Sequence, residues 1–173
     1  MSKIKKIIIS ALLLATSIVI NRFLSINTNI LSIGFTFVPL MFSGIILGPK
    51  YSIVIAGLAD LIGALLFPFG SYFIGYTISS LLTGLVYGLL LYNKDGFNLN
   101  KKFIVKMLIS IVIVCILING LLNTVWIILT VKKAAIAIIP TRVVKQLIMI
   151  PIMFLTMLSL LKLLEKQIRG LND

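Results

Sequence analysis

The sequence holds no histidine, a single cysteine, one tryptophan and only four acidic residues among 173. Without histidine, imidazole metal ligands and histidine general-base chemistry are excluded. A lone cysteine, Cys115, excludes an internal disulfide, and its apolar neighbours make it small core filler. Four acids, one of them inside an apolar run, leave no carboxylate cluster for a metal or for a general acid–base pair. Charge of either sign is scarce, at 12% against about 25% in a soluble domain. That scarcity excludes a soluble globular chain, a disordered chain and a coiled coil.

What is present is hydrocarbon. Hydrophobic residues make up 60% of the chain and the mean hydropathy is +1.20. The apolar residues lie in long continuous runs, whereas a membrane barrel would alternate in short segments. The fold class is therefore an all-α integral membrane protein, read as a single membrane-embedded domain over residues 1–173.

Charges, prolines and glycines divide the chain into six predicted helices over residues 4–23, 35–47, 51–66, 72–92, 103–130 and 136–161. Gly48-Pro49-Lys50 reads as a turn, because proline resists helix continuation and glycine tolerates C-terminal geometry. Pro68-Phe69-Gly70-Ser71 separates the third helix from the fourth, and residues 25–29 read as a plain loop. Residues 93–98 form the most polar stretch, and Pro151 is expected to bend the sixth helix ahead of a charged tail. The second and third helices look short against the roughly 20 residues that cross ~30 Å of hydrocarbon. Gly44-x-x-x-Gly48, Ala59-x-x-x-Gly63 and Gly84-x-x-x-Gly88 supply small faces for close helix packing. The lysine-rich start has the outline of a signal peptide, but no A-x-A site follows, so it reads as the first span.

Six spans put both termini on one side. With both inside, the cytoplasmic face carries Lys3, Lys5, Lys6, Lys50, Lys94, Lys101, Lys102, Lys106, Lys162, Lys166 and Arg169, eleven of the 16 basic residues. The reverse orientation leaves five. The positive-inside bias thus favours a six-transmembrane-helix bundle, N-in and C-in. It accounts for most of the +12 net charge, and no nucleic-acid partner is expected.

The five cations it does not explain are Arg22, Lys132, Lys133, Arg142 and Lys145, and the one acid within a span is Asp60. A charge inside a membrane costs at least ~2.5 kcal/mol at a helix centre and usually faces an interior or a cavity. Arg142 and Lys145 share a helix face at i, i+3. Two like charges persist there more easily with an anion between them, and the planar fork of arginine suits a carboxylate. The competing reading is snorkelling to the outer headgroups, which suits Lys132 and Lys133 best.

Asn119, Asn123 and Trp126 fall at i, i+4, i+7 on the fifth helix. Two carboxamides and an indole on one face fit a flat heteroaromatic ring with mixed polar edges. They also fit interhelical hydrogen bonding and an interfacial anchor. The aromatics Phe35, Phe37, Phe67, Phe69, Tyr72, Phe73 and Tyr76 gather at the outer turns, as in a generic belt. Asp60 admits two readings: an ion pair with Arg22, Arg142 or Lys145, or an acceptor for ligand ring N–H groups.

At these residues the chain resembles a known family. The six predicted helices, the basic cytoplasmic face and Ser10-Ala11-Leu12-Leu13-Leu14-Ala15 resemble the S component, the substrate-binding subunit, of energy-coupling-factor (ECF) vitamin transporters. Arg22-Phe23-Leu24-Ser25-Ile26, Gly34-Phe35-Thr36-Phe37-Val38-Pro39, Gly44-Ile45-Ile46-Leu47-Gly48-Pro49 and Gly57-Leu58-Ala59-Asp60 resemble its folate-specific branch. So do Gly70-Ser71-Tyr72-Phe73-Ile74-Gly75-Tyr76-Thr77, the stretch 119–126, and Pro140-Thr141-Arg142-Val143-Val144-Lys145.

The resemblance implies a multi-pass subunit of a prokaryotic cytoplasmic membrane. It would capture folate from outside and work with a T component and two ATPase subunits. It is not an enzyme and holds no cofactor, with ATP and Mg on the partners alone, and no phosphate-binding glycine loop occurs here. The candidate substrate-binding residues are Arg22, Asp60, Tyr76, Asn119, Asn123, Trp126, Arg142 and Lys145, and the partner-docking pair is Ala11 and Ala15. Three other readings stand beside this one: an S component for another anionic or pterin-like vitamin, a membrane enzyme for an anionic lipid, and a stand-alone ion-coupled carrier. The enzyme would need a base or nucleophile cluster, and the carrier an intramembrane relay beyond Asp60.

Overall fold

The structure, a computed structural model, describes the chain except residues 24, 28–31, 68–71, 95, 132–138 and 173, with backbone alone at 22, 26, 27, 32, 33, 131, 171 and 172. The elements run α1 (Lys3–Phe23), β1 (Ile26–Asn27), β2 (Ser32–Ile33), α2 (Phe37–Leu47), α3 (Pro49–Leu66), α4 (Ile74–Leu91), α5 (Lys101–Ile113), a π-helical segment (Val114–Leu122), α6 (Asn123–Val131) and α7 (Ile139–Asn172).

Each departure from the sequence expectations has a local cause. The 25–29 loop carries half of a two-residue antiparallel bridge, Ile26 opposite Ile33 and Asn27 opposite Ser32. Pro49 and Lys50 belong to α3, not to a turn: Pro49 occupies the first helical turn, where its missing N–H is no loss. The third helix is therefore not short, at 18 residues. The connection before it shrinks to Gly48, whose φ of 81° is a left-handed value that glycine adopts without strain. The sixth predicted helix continues as α7 through its charged tail. Glu165 and Arg169 pair at 2.5 Å one turn apart, and Ile168 buries its side chain.

Among the described residues five stretches are long and apolar enough to cross a membrane: Lys3–Asn21, Pro49–Leu66, Ile74–Leu91, Lys101–Thr130 and Ile139–Gly170. α2, at 11 residues, is only ~16 Å long. It is enclosed by its neighbours, with every residue from Pro39 to Leu47 buried. The core centres on α2, α4, α5 and α7, around Met41, Tyr87, Met107, Ile111, Met157 and Leu161. The outward faces of the long helices are apolar too, as at Ile8, Leu89, Leu129 and Leu155. On a soluble protein so much exposed hydrocarbon would be a binding or aggregation patch; in a bilayer it is the lipid-facing coat.

Small residues bring α2, α3 and α4 close. A Cβ on Gly44 would lie 2.8 Å from the Tyr87 carbonyl carbon, one on Gly84 would press on the Ser52 carbonyl, and one on Gly88 would press on the Pro49 backbone. Ser43 and Ser52 join α2 to α3 through a buried 2.9 Å hydroxyl pair.

Contacts between distant segments define two ends. At the basic end Lys6 lies over the ring of Tyr51, α4 finishes, α5 begins, and Arg169 donates to Asn98 at 3.3 Å. At the other end Phe23 meets Phe67 edge to face, the start of α4 meets the second half of α3 and α6, and the start of α7 meets the π segment.

Candidate functional site

The end opposite the lysines gathers most of the polar residues that the sequence singled out. The long helix from Lys101 to Val131 is not a continuous α-helix: residues Val114–Leu122 wind as a π-helix, and the Asn123 N–H reaches back five residues to the Ile118 carbonyl. π turns of this kind occur frequently at functional sites. The wider turn changes the simple i, i+4, i+7 stripe. Asn119 ends up in the π segment and Asn123 at the first position of α6, and the Asn123 amide donates to the Asn119 side-chain oxygen at 3.1 Å. The other side-chain atom of Asn123, Oδ1, is buried with no partner among the described residues.

Trp126 turns toward α4 and donates its indole N–H to Ser79 Oγ at 3.0 Å. Its ring packs against Phe73, centroids 5.7 Å apart, and Phe73 in turn meets Tyr76 edge to face at 6.2 Å. Gly75 makes room for this cluster, since a Cβ there would come within 2.7 Å of the Trp126 ring.

Arg142 reaches across from α7 and donates to the main-chain carbonyl of Asn119 at 3.1 Å. Tyr76 has Thr130 as a hydrogen-bond partner and Arg142 as its charged neighbour. Lys145 shares its surroundings with Arg142 and Cys115. Tyr76, Asn119, Asn123, Trp126, Arg142 and Lys145 are all half-buried. Arg142 sits within the first turn of the described part of α7, which begins at Ile139.

Asp60 stands on α3 and accepts from Thr77 Oγ1 at 2.7 Å. Because Thr77 spends its one proton there, the Tyr72 hydroxyl, 2.8 Å away, is the donor in their contact. The result is a chain from Tyr72 through Thr77 to the carboxyl of Asp60. The side chain of Arg22 lies outside the described residues, as do Lys132, Lys133 and Phe69. Ala11 and Ala15 are exposed on α1, while Leu13 and Ser17 of the same helix are buried. The small pair therefore faces outward instead of packing inside the bundle.

Sequence reasoning missed Thr77, Ser79 and Thr130, and left Phe73 in a generic belt. Hydroxyl residues are common in membrane helices and usually bond their own backbone, as Ser17 does to Leu13 at 2.7 Å. Only the partner across the bundle sets Thr77 and Ser79 apart. Cys115 is buried with its sulfur 3.6 Å from that of Met153, as core filler should be.

This end of the molecule brings an aromatic surface, carboxamide donors and acceptors and two cations within one neighbourhood. It can hold a flat polar ring and an anionic group together. Comparison with known proteins leads the same way. Residues 5–161 match the family described as the ECF transporter, substrate-specific component. The chain is 34% identical to the folate transporter FolT of Clostridium novyi, over 96% of this chain and 93% of that one. It is 30% identical to the folate transporter FolT of Leuconostoc mesenteroides, over 86% of this chain and 80% of that one. Its fold matches a crystal structure of FolT bound with folic acid, with a TM-score of 0.81 and 31% identity, covering 90% of this chain and 92% of the other. A multi-pass membrane protein built for transport and not for catalysis, the chain belongs to the substrate-specific components of ECF transporters, in the branch that its FolT relatives represent.

Proposed function

We propose that this chain is the high-affinity folate-binding subunit of an ECF importer, in a six-span arrangement with both termini in the cytoplasm. The observation that carries the reading is the match to FolT bound with folic acid over nearly the full chain. The geometry supports it. Trp126, Phe73 and Asn123 offer stacking and hydrogen bonding for the pterin ring, and Arg142 and Lys145 offer cations for the glutamate carboxylates. Arg22, Asp60, Tyr76 and Asn119 complete the proposed site.

The test is calorimetric titration of the purified chain with folic acid and with a bare pterin. Tight binding of folic acid supports the proposal. Failure of both ligands to bind a folded preparation overturns it, and tighter binding of another vitamin reassigns the substrate.

Energy would come from a T component and two ATPase subunits, which alone hold ATP and Mg, in the cytoplasmic membrane of a prokaryote. The outward pair Ala11 and Ala15 would let a partner helix approach closely. Ala15→Trp should therefore keep its folate affinity in detergent and lose ATP-driven uptake in vesicles containing all subunits. Retained uptake would remove the docking role.

A further inference from the structure

The basic end carries a feature that folate capture does not use. Where α4 stops and α5 starts, a cleft of about 270 Å³ opens, its lining including Lys102, Lys106, Asn98 and Asn100 together with the apolar Leu91 and Phe103. α4 spans 18 residues, ~27 Å, so the cleft lies at the height where hydrocarbon gives way to headgroups.

Its electrostatics are unbalanced. Lys102 and Lys106 stand at i, i+4 on one face of α5, close enough to repel. Lys101 and Lys102 occupy the first turn, which holds no acid, although cations at a helix N-terminus oppose the macrodipole. Among the described residues that line the cleft there is no carboxylate, and the Glu165 carboxylate beside Asn98 is already engaged by Arg169. An anion in the cleft relieves all of these conflicts.

The rest of the helix says which anion. One turn beyond Lys106 on the same face comes Ile109, exposed, and one turn further, at the last residue of α5, the half-buried Ile113. Cationic cleft and apolar stripe are continuous, polar at the membrane boundary and oily toward its middle. A free phosphate would use only the first part, whereas an acidic phospholipid matches both.

We propose that the cleft between the α4 end and the α5 start binds the headgroup phosphate of an anionic phospholipid, whose acyl chain lies along Ile109 and Ile113. The site is separate from the folate site and does not depend on that reading.

Native mass spectrometry of the full-length protein in detergent, titrated with phosphatidylglycerol and with phosphatidylcholine, tests this. Phosphatidylglycerol should bind at least tenfold more tightly. Lys102→Gln with Lys106→Gln should weaken it by about fivefold per lysine, roughly 25-fold together. The pair Lys3→Gln and Lys5→Gln, at the same end but outside the cleft, should leave it unchanged. If the double cleft variant does not fold, Lys106→Gln alone should still show the fivefold loss. Equal affinity for the two lipids overturns the proposal, and so does an equal loss in the Lys3 and Lys5 control. Displacement of phosphatidylglycerol by excess inorganic phosphate also overturns it, by making the cleft a site for free anions.

Discussion

In the α2–α3–α4 corner, backbones touch. Gly84 and Gly88 lie against the main chain of α3, and Gly44 lies against that of Tyr87. The polar side chains there are short, and Ser43 and Ser52 satisfy each other. In the corner built from the π segment, α6 and the start of α7, the polar groups are long, half-buried and gathered across helices. Arg142 leans on a main-chain carbonyl, and Asn123 keeps an acceptor that nothing described fills. The first corner gives up chemistry for contact, and the second gives up contact for chemistry. A subunit that binds a ligand needs both, because polar groups inside a membrane hold their positions only against a frame that does not yield.

The largest expected effect strikes the frame. Gly88→Leu forces a side chain into the Pro49 backbone and should cost about 3 kcal/mol, or roughly 6–12 °C in melting temperature. Gly170→Ala, where nothing lies within 4 Å, should cost nothing. Equal melting points would dissolve the contrast between the corners.

Next comes the polar corner. Arg142→Ala should weaken folate binding by about 1.5–3 kcal/mol, roughly 10- to 150-fold, through loss of a charge-assisted contact. Binding of a bare pterin, which lacks the glutamate, should change little. A parallel loss of both ligands would mean that Arg142 supports the site's shape instead of the anionic end.

Smaller still, Trp126→Ala removes the ring that packs on Phe73 and should cost about 1 kcal/mol on folate and pterin alike. Asn123→Ala should follow the same pattern. Calorimetry with both ligands distinguishes these variants from Arg142→Ala.

The smallest effect should come from Tyr87, the fully buried exception within the frame, whose hydroxyl has no partner among the described residues. Tyr87→Phe removes an unsatisfied polar atom and should be neutral or stabilising by up to about 1 kcal/mol. A clear loss of stability would show that the hydroxyl has a partner.

The same contrast explains what the sequence made legible. Apolar runs and their breaks located every long helix, because membrane insertion depends on hydropathy summed over many residues. Arg142 and Lys145 stood out because charge in such a chain is rare. The π segment left no mark: in an uninterrupted apolar run, periodicity cannot distinguish five residues of reach from four. Pro49 was misplaced because the residue that ends one helix also suits the first turn of the next. Thr77 and Ser79 became visible only through Asp60 and Trp126, partners 17 and 47 positions away in the chain.

Gly48 has a mechanical consequence. It is the whole connection between α2 and α3, and its Cβ position is closed off by the ring of Tyr92, 3.2 Å away. With one residue of slack and a hydroxyl latch between Ser43 and Ser52, the two helices cannot slide past each other; they can only swing together. The α2–α3 hairpin is therefore one rigid member of the bundle, and its two helices keep their register whatever their neighbours do.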